Sequence, residues 1–366
     1  MKTLAMKALA AAGLLAASAG IAHAQDVTIG AVLPLTGPSA SIGEDQRRGM
    51  ELAVERVNAA GGVLGRKLRV IIEDSGGRAP TALDAAKKLA TVDKVPVVMG
   101  EYSSGITIPT AQYLVKEGVS HLNIGSSSPR VRGIGEGSFS VIGLDDVSAK
   151  FAATDVFEQK FRKAAFIAPN NAYGQGVAEE FKKNFEAMGG QVVASILYTA
   201  GQSTYRRELQ QIERAAPDVY VYSAYGQEAA IINREAFDLG LNKTQWYAIY
   251  QTMCTTDTPA QIANGQIGME VSAIGPAGKP YEEAYSKKYG EKFKSAYSGY
   301  AYDGVMLSAA AIAKAGSTEA AKVRTALAEV GRKFDGVTGE VVFDKDRQRA
   351  VQPYLRTRYQ NGVLPR

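Results

Sequence analysis

Cysteine is almost missing from this chain: Cys254 is the only one in 366 residues. No intramolecular disulfide can form, and with His23 and His121 as the only histidines there is no Cys/His cluster to hold a structural zinc. Cys254 is expected to be a small buried apolar residue, and His121, inside the run Val119–Ile124, a structural histidine. Charge of one sign is also lacking. There are 42 Lys and Arg against 37 Asp and Glu, dispersed along the chain, and the formal charge of +5 falls to +3 if Lys2 and Lys7 are removed. Nucleic-acid binding requires clustered bases, so it is not expected. Beyond residue 24 no stretch approaches the ~18 uninterrupted apolar residues of a membrane span. The common catalytic signatures are absent: no Gly-x-Ser-x-Gly elbow, no His-Glu-x-x-His, no Gly-x-x-x-x-Gly-Lys. Gly133–Gly137 has the wrong spacing for a dinucleotide loop. No cofactor, metal or enzymatic activity is expected.

What is present begins at the N-terminus. Lys2 and Lys7 precede an apolar, acid-free run from Ala8 to Ala22, which ends in Ala22-His23-Ala24. This is the pattern of a secretory signal peptide over residues 1–24, cleaved after Ala24 so that Gln25 opens the mature chain. No Cys follows the cleavage site, so no lipid anchor is expected there.

The mature length suggests about two domains. Strand-like and helix-like segments alternate from Val27 onward. Strands are expected at Val27–Leu33, Leu68–Ile72, Val95–Met99 and Val119–Ile124, separated by helical patterns that carry Met50, Val54 and Val57, then Ala82 to Ala90, then Ile106 to Val115. A second series starts near Val147, with strands expected at Ala164–Ala168, Gln191–Leu197, Asp218–Tyr222 and Gln245–Tyr250 and helices between them. Short connections between alternating elements imply right-handed βαβ units and mostly parallel sheets. The fold class is therefore α/β, with two similar lobes in tandem.

In such sheets ligands lie beyond the carboxyl ends of the strands. Two loops there are rich in hydroxyls: Gly100-Glu101-Tyr102-Ser103-Ser104-Gly105, which opens a helix, and Gly125-Ser126-Ser127-Ser128-Pro129. Free N–H groups at a helix start, with hydroxyls beside them, suit an anion; singly, the same serines are ordinary caps and turn formers. In the second series Tyr173, Tyr225, Tyr247 and Tyr250 stand at strand ends, with Trp246 beside them, and are expected to form an aromatic wall. Asp145-Asp146 reads as a domain crossing, Glu282-Glu283 as a solvated helix face, and Asn242-Lys243-Thr244 as a chance glycosylation match.

The segments Ile29–Pro38, Asn58–Leu68 and Asn171–Gly176 resemble type I periplasmic solute-binding proteins, more closely the leucine/isoleucine/valine-binding family that serves branched-chain amino acid ABC importers. The resemblance implies two Rossmann-like lobes joined by a three-crossing hinge. Lobe one would hold residues 25–143 and 275–333, lobe two residues 144–274 and 334–366. It implies that Ser104, Ser126 and Ser127, with Tyr102 and Ser103 of the same loops, bind a substrate carboxylate, and that Tyr173 and Tyr225 close over the ligand. It further implies a periplasmic monomer that hands a small carboxylate-bearing solute to an inner-membrane ABC permease, or reports it to a membrane receptor. Two positions depart from the family. The glutamate that receives a substrate ammonium is replaced by Tyr250, followed by Gln251, and a first-loop tyrosine of some relatives aligns with Ile42. A buried ammonium needs a carboxylate partner. Either Asp257, Glu228 or Asp303 supplies it, or the solute has no ammonium, as with aromatic carboxylates, short amides or urea-like molecules.

Overall fold

The computed structural model describes residues 25–271, 275, 278–293, 295–360 and 362; the expected signal peptide and its cleavage site lie outside them. In chain order the elements are β1 (Val27–Leu33), α1 (Ala40–Ala59), β2 (Leu68–Asp74), α2 (Ala79–Lys87), β3 (Val97–Gly100), α3 (Ser104–Lys116), β4 (Ser120–Asn123) and β5 (Ser138–Ser140). Then come α4 (Asp145–Glu158), β6 (Lys163–Pro169), α5 (Ala172–Ala187), β7 (Gln191–Tyr198), α6 (Arg206–Arg214), β8 (Val219–Tyr222), α7 (Gly226–Asp238) and β9 (Gln245–Ile249). The chain ends with α8 (Gln251–Thr255), α9 (Ala260–Ala263), β10 (Ile267–Val271), α10 (Lys279–Tyr289), α11 (Tyr297–Ala315), α12 (Ala320–Val330), the hairpin β11 (Phe334–Gly336) and β12 (Gly339–Val341), and β13 (Tyr354–Arg358).

Two parallel sheets organise these elements. The first has the order β2-β1-β3-β4-β5, and the second has β13-β10-β9-β8-β6-β7. Read from β6 onward, the second sheet repeats the 2-1-3-4-5 order of the first, with β13 added antiparallel to β10 at the edge. Each sheet is thus a doubly wound α/β lobe, as the alternation of the sequence implies. The central strands are buried from both faces, which explains near-continuous apolar runs such as Val27–Leu33 and Ala164–Ala168. The chain reverses direction in the strand order between β1 and β3, and again between β6 and β8. The crevices at these reversals, at the carboxyl ends of the strands, face each other across the molecule.

The connection between lobes is polar and buried. Asp303 in α11 accepts hydrogen bonds from Val337 N (2.7 Å), Thr338 N (3.0 Å) and Thr338 Oγ1 (2.6 Å). The Arg349 guanidinium, 1 % exposed, donates to Val141 O (2.9 Å), Thr338 O (2.9 Å), Glu340 O (3.0 Å) and Val351 O (3.0 Å). Gly275 N donates to Val337 O (2.7 Å). One side chain therefore holds the segment leaving the first sheet, the hairpin and the segment returning to the second. No helix among the described residues is long and apolar enough to cross a membrane.

Candidate functional site

The loop after β3 is shaped by Gly100. Its φ is +104°, and a Cβ there would lie 2.1 Å from Val32 O, so only glycine fits. The next residue, Glu101, turns inward and accepts from Ser75 Oγ (2.7 Å) and Ser103 N (2.8 Å). Burial pushes its carboxyl up to about 7 against those two bonds. α3 then starts at Ser104, and its first internal bonds run from Ile106 N and Thr107 N to Ser103 O. The N–H groups of Ser104 and Gly105 precede those bonds and lie at the positive end of the helix dipole.

The loop after β4 is fixed by Asn123. Its Oδ1 accepts from Gly125 N (3.2 Å) and Ser126 N (2.8 Å), while Nδ2 donates to Ser126 O (2.7 Å) and Ser140 Oγ (2.9 Å). This clamp turns neighbouring serines in opposite directions. Ser127 faces the cleft and donates to Asp145 Oδ2 (3.0 Å). Ser126 turns back into the first lobe, where its hydroxyl donates to Glu101 O and Tyr102 O and meets Thr107 Oγ1. The expectation that Ser126 faces a ligand is corrected by these bonds.

The second lobe answers with helix starts. Asn171 caps α5, its Oδ1 accepting from Tyr173 N and Gly174 N at 3.0 Å each, and so fixes Tyr173 at the first turn. Tyr225 is the N-cap residue of α7. Its hydroxyl lies 3.3 Å from Ser103 Oγ and accepts from Asn171 Nδ2 (3.4 Å). Ser128 Oγ donates to Ala172 O (2.8 Å), and Arg130 to Gln175 Oε1 (3.0 Å). These cross-lobe bonds hold the cleft shut.

Between the loops lies a cavity lined by Tyr102, Ser104, Gly125, Ser127, Tyr173, Tyr225, Met253 and Tyr297. Its four tyrosines interlock: Tyr102 meets Tyr225 edge-on at 5.6 Å and Tyr297 at 5.0 Å, and Tyr173 lies 5.6 Å from Tyr225. Burial raises all four phenols above their ordinary value, so they are neutral hydroxyls. The cavity holds about 180 Å³. Cross-lobe bonds close over it, so a solute enters when the lobes part.

Five expected residues meet at this cavity: Tyr102, Ser104, Ser127, Tyr173 and Tyr225. Ser103 stands at its rim through Tyr225. Tyr250, with a φ of +61°, sits one layer behind and donates to Asp145 Oδ1 (3.2 Å). Gln251 points away, donating to Gln266 O (3.0 Å) and accepting from Thr357 Oγ1; its placement at the ligand is corrected. So is that of Trp246 and Tyr247. Trp246 packs on Tyr220 and Tyr222 and lines a separate, larger polar pocket of about 530 Å³ with Asn233 and Gln266. Tyr247 donates to Asp155 (3.0 Å) under α4.

None of the three carboxylates expected to receive an ammonium lines the cavity. Glu228 is engaged by Tyr198 and Gly201 N, Asp303 holds the hinge, and Asp257 lies beside Gly226. Sequence reasoning missed Tyr297, Met253 and Asp145. The Asp145 carboxyl is buried behind Ser127, accepts also from Ser148 Oγ (2.8 Å), and is pushed by burial up to about 7. His121 is structural: it bonds Ser138 Oγ (2.9 Å) and Gly100 O, and burial pushes it down to about 4. Cys254 is buried, with its thiol pushed up to about 12. No metal-binding cluster occurs among the described residues.

Comparison with known proteins identifies the family and the fold. The chain is 30% identical over 364 residues to the Leu/Ile/Val-binding protein BraC3 of Rhizobium johnstonii, covering 95% of each. Its fold matches the branched-chain amino acid transporter substrate-binding protein LivJ of Streptococcus pneumoniae, solved with isoleucine, at a TM-score of 0.84 with 24% identity, covering 93% of this chain and 98% of that one. It also matches an ABC-transporter solute-binding protein of R. palustris solved with benzoate, at a TM-score of 0.83 with 19% identity, covering 93% and 95%. The last two likenesses concern the fold alone. A family model described as periplasmic binding protein matches residues 26–362, and this chain belongs to that family of non-enzymatic solute binders.

Proposed function

We propose that this chain is the periplasmic receptor of an ABC importer, secreted with cleavage after Ala24, and that it captures a small carboxylate-bearing solute between its lobes. The monomer closes by hinge bending and presents the solute to an inner-membrane permease driven by cytoplasmic ATPases. In this reading the lobes divide at residues 143/144 and 274/275. This reading moves the last crossing from the expected 333/334 to near Arg349–Gln352, which is supported by the bonds of residues 334–348 to the first lobe, for example Ser140 N to Arg347 O. One observation carries the reading: Ser104 with the α3 amides and Ser127 from one lobe, and Tyr173 and Tyr225 from the other, line a single cavity sealed by cross-lobe bonds. The solute carboxylate takes the α3 N-terminus and the serine hydroxyls; the neutral phenols form the apolar walls.

The lining contains no carboxylate. Three carboxyls stand behind the lining and already accept hydrogen bonds: Asp145 from Ser127 and Ser148, Glu101 from Ser75 and Ser103 N, and Glu270 from Thr252 N (2.8 Å). An ammonium would be desolvated there without a partner, which favours an aromatic acid over a branched-chain amino acid. A solved relative of the same fold holds benzoate, a ligand of this charge and size. The test is calorimetric titration with benzoate, 4-hydroxybenzoate and leucine. Binding of at least one benzoate at micromolar strength and none of leucine is expected; the reverse order would replace the aromatic acid with an amino acid.

Two results follow. Ser127→Ala weakens the benzoate that binds by ~1–2 kcal/mol, the scale of a lost hydrogen bond to a charged group; full affinity would remove Ser127 from the site. Emission from Trp246, the sole tryptophan, stays unshifted through the same titration, because it lies near the start of β9 and the cavity lies beyond its end. A shifted maximum would contradict that placement.

A further inference from the structure

α8 is five residues long and follows Tyr250, whose φ of +61° sets the turn out of β9. Four of the five are held by hydrogen bonds within the second lobe. Gln251 Nε2 donates to Gln266 O (3.0 Å), Thr252 N to Glu270 Oε2 (2.8 Å), the Cys254 thiol to Ile249 O (3.4 Å) and Thr255 Oγ1 to Gln251 O (2.8 Å). The fifth, Met253, is buried and is the one residue of α8 that lines the cavity. It differs from the rest of the lining. The four tyrosines are fixed by ring contacts, and two of them also by their hydroxyls, Tyr225 to Ser103 and Asn171, and Tyr173 to Ser223. Ser127 is held by Asp145, and Ser104 Oγ accepts from Ser128 N (3.2 Å). Met253 takes part in none of these bonds. It contributes volume and an apolar, unbranched surface, the usual role of methionine as a gap-filler. It also comes from the second lobe, across the cleft from Ser104 and Ser127.

We propose that Met253 sets the size of the solute: with methionine in place the site takes an acid built on one ring, and without its outer atoms an acid built on two fused rings. This rests on the reading of the cavity as a site for an aromatic acid. The cavity holds about 180 Å³, the volume of some six waters at ~30 Å³ each, which is room for a single ring and its carboxylate. A larger solute must displace Met253 or keep the lobes apart, at the loss of bonds such as Ser103 to Tyr225 and Ser128 to Ala172. In an apolar pocket one methylene already discriminates by about 10- to 200-fold, and a second fused ring is larger than that by several carbons. Truncating Met253 to alanine removes Cγ, Sγ and Cε from the wall. The space opens on the second lobe, so the serines and the α3 amides keep their place at the carboxylate.

The probes are two matched pairs, benzoate with 2-naphthoate and 4-hydroxybenzoate with 6-hydroxy-2-naphthoate, titrated calorimetrically into the wild-type chain, Met253→Ala and Met253→Leu. In each pair that binds, the wild type is expected to prefer the one-ring acid at least about tenfold. Met253→Ala is expected to bring the fused acid to within about threefold of the one-ring acid, or past it, because the cavity that weakens the smaller solute accommodates the larger one. Met253→Leu nearly conserves volume and is expected to keep the wild-type order, which separates size from the loss of sulfur. A wild type that binds the fused acids as well as the one-ring acids overturns the role of Met253 and leaves the aromatic-acid site standing. So does a tenfold preference that survives in Met253→Ala, or one that is lost equally in Met253→Leu. Failure of the wild type to bind any of the four overturns the aromatic-acid reading itself, and this role with it. Should Met253→Ala fold poorly, Met253→Val removes fewer atoms and is expected to shift the preference in the same direction; an unshifted preference in that variant overturns the role as well.

Discussion

Replacing Arg349 with methionine is expected to cost ~3–5 kcal/mol of stability, the range for breaking a buried, hydrogen-bonded charge. Methionine nearly matches arginine in length and fills the space, but it supplies no donors. Val141 O, Thr338 O, Glu340 O and Val351 O would each lose their guanidinium partner. A second loss comes through Thr338, whose Oγ1 accepts from Arg349 (3.1 Å) and donates to Asp303 (2.6 Å). Burial already pushes the Asp303 carboxyl up to about 6, and the nearby guanidinium opposes that rise. Without the cation, the Asp303 carboxyl is expected to rise further. The affected carbonyls belong to the connecting segments, so the damage falls on the hinge and leaves the two sheets intact. The urea midpoint of the variant should drop, and its scattering profile should broaden toward a looser pair of lobes while the helix and strand signals persist. Arg349→Lys keeps the charge without the planar fork and should fall between the two. A midpoint shift equivalent to less than ~1 kcal/mol would show that the four carbonyls find water at little cost, and that the hinge is held elsewhere.

The tandem architecture was legible because parallel strands buried on both faces write themselves as apolar runs, and each run here is followed by a helix with a polar face. Even the repeated 2-1-3-4-5 order has its trace in the similar openings at Ile29–Pro34 and Ala165–Pro169. Cavity-lining residues on loops directly after strands, such as Ser104 and Tyr173, could be read from position alone. Three kinds of residue could not. Tyr297 and Met253 reach the cavity from α11 and α8, elements whose placement depends on the hinge and on the turn at Tyr250. Ser126 and Ser127 are chemically identical neighbours, separated only by the Asn123 clamp. Trp246 and Tyr250 belong to one strand and its end, yet four residues of extended chain span ~13 Å, enough to put the indole in a different pocket. Asp145 looked like a crossing residue and does begin α4 at the crossing. Its bond to Ser127 joins two loops 18 residues apart, beside the backbone bond from Asp145 N to Ser127 O (2.6 Å), and has no local signal.

That bond gives the pH dependence of binding a definite sign. In the closed cleft Ser127 donates its only hydroxyl proton to Asp145 Oδ2, so an incoming carboxylate would meet the hydroxyl's lone pairs. The serine serves an anion when Asp145 is protonated: the acid then donates to Ser127 Oγ, and Ser127 donates to the solute. The groups facing Asp145 do not compensate its charge. Ser148 and Tyr250 hydrogen-bond it, Asp146 on its own helix repels it, and Tyr173 of α5, Tyr297 of α11 and Tyr354 after the last crossing are neutral phenols. Burial pushes its carboxyl up to about 7 without ligand; a bound anion one hydroxyl away raises it further. The complex therefore holds more protons than the free protein above pH 7, and binding takes up a proton there. Affinity for benzoate, or for whichever aromatic acid binds best, should be level well below pH 7 and should fall above it by up to about tenfold per pH unit, the limit for one linked proton. Calorimetry in buffers of different ionisation enthalpy should register that uptake at pH 8. Asp145→Asn should flatten the profile, because an amide donates to Ser127 at every pH. Glu101, also pushed up to about 7 near the α3 start, is the competing source of such a slope, and Glu101→Gln separates the two. A slope that survives in Asp145→Asn and vanishes in Glu101→Gln would move the linked proton to Glu101. A flat wild-type profile between pH 6 and pH 8.5 would mean that Ser127 keeps its bond to Asp145 while the solute is bound, leaving the α3 amides as the carboxylate's main partners.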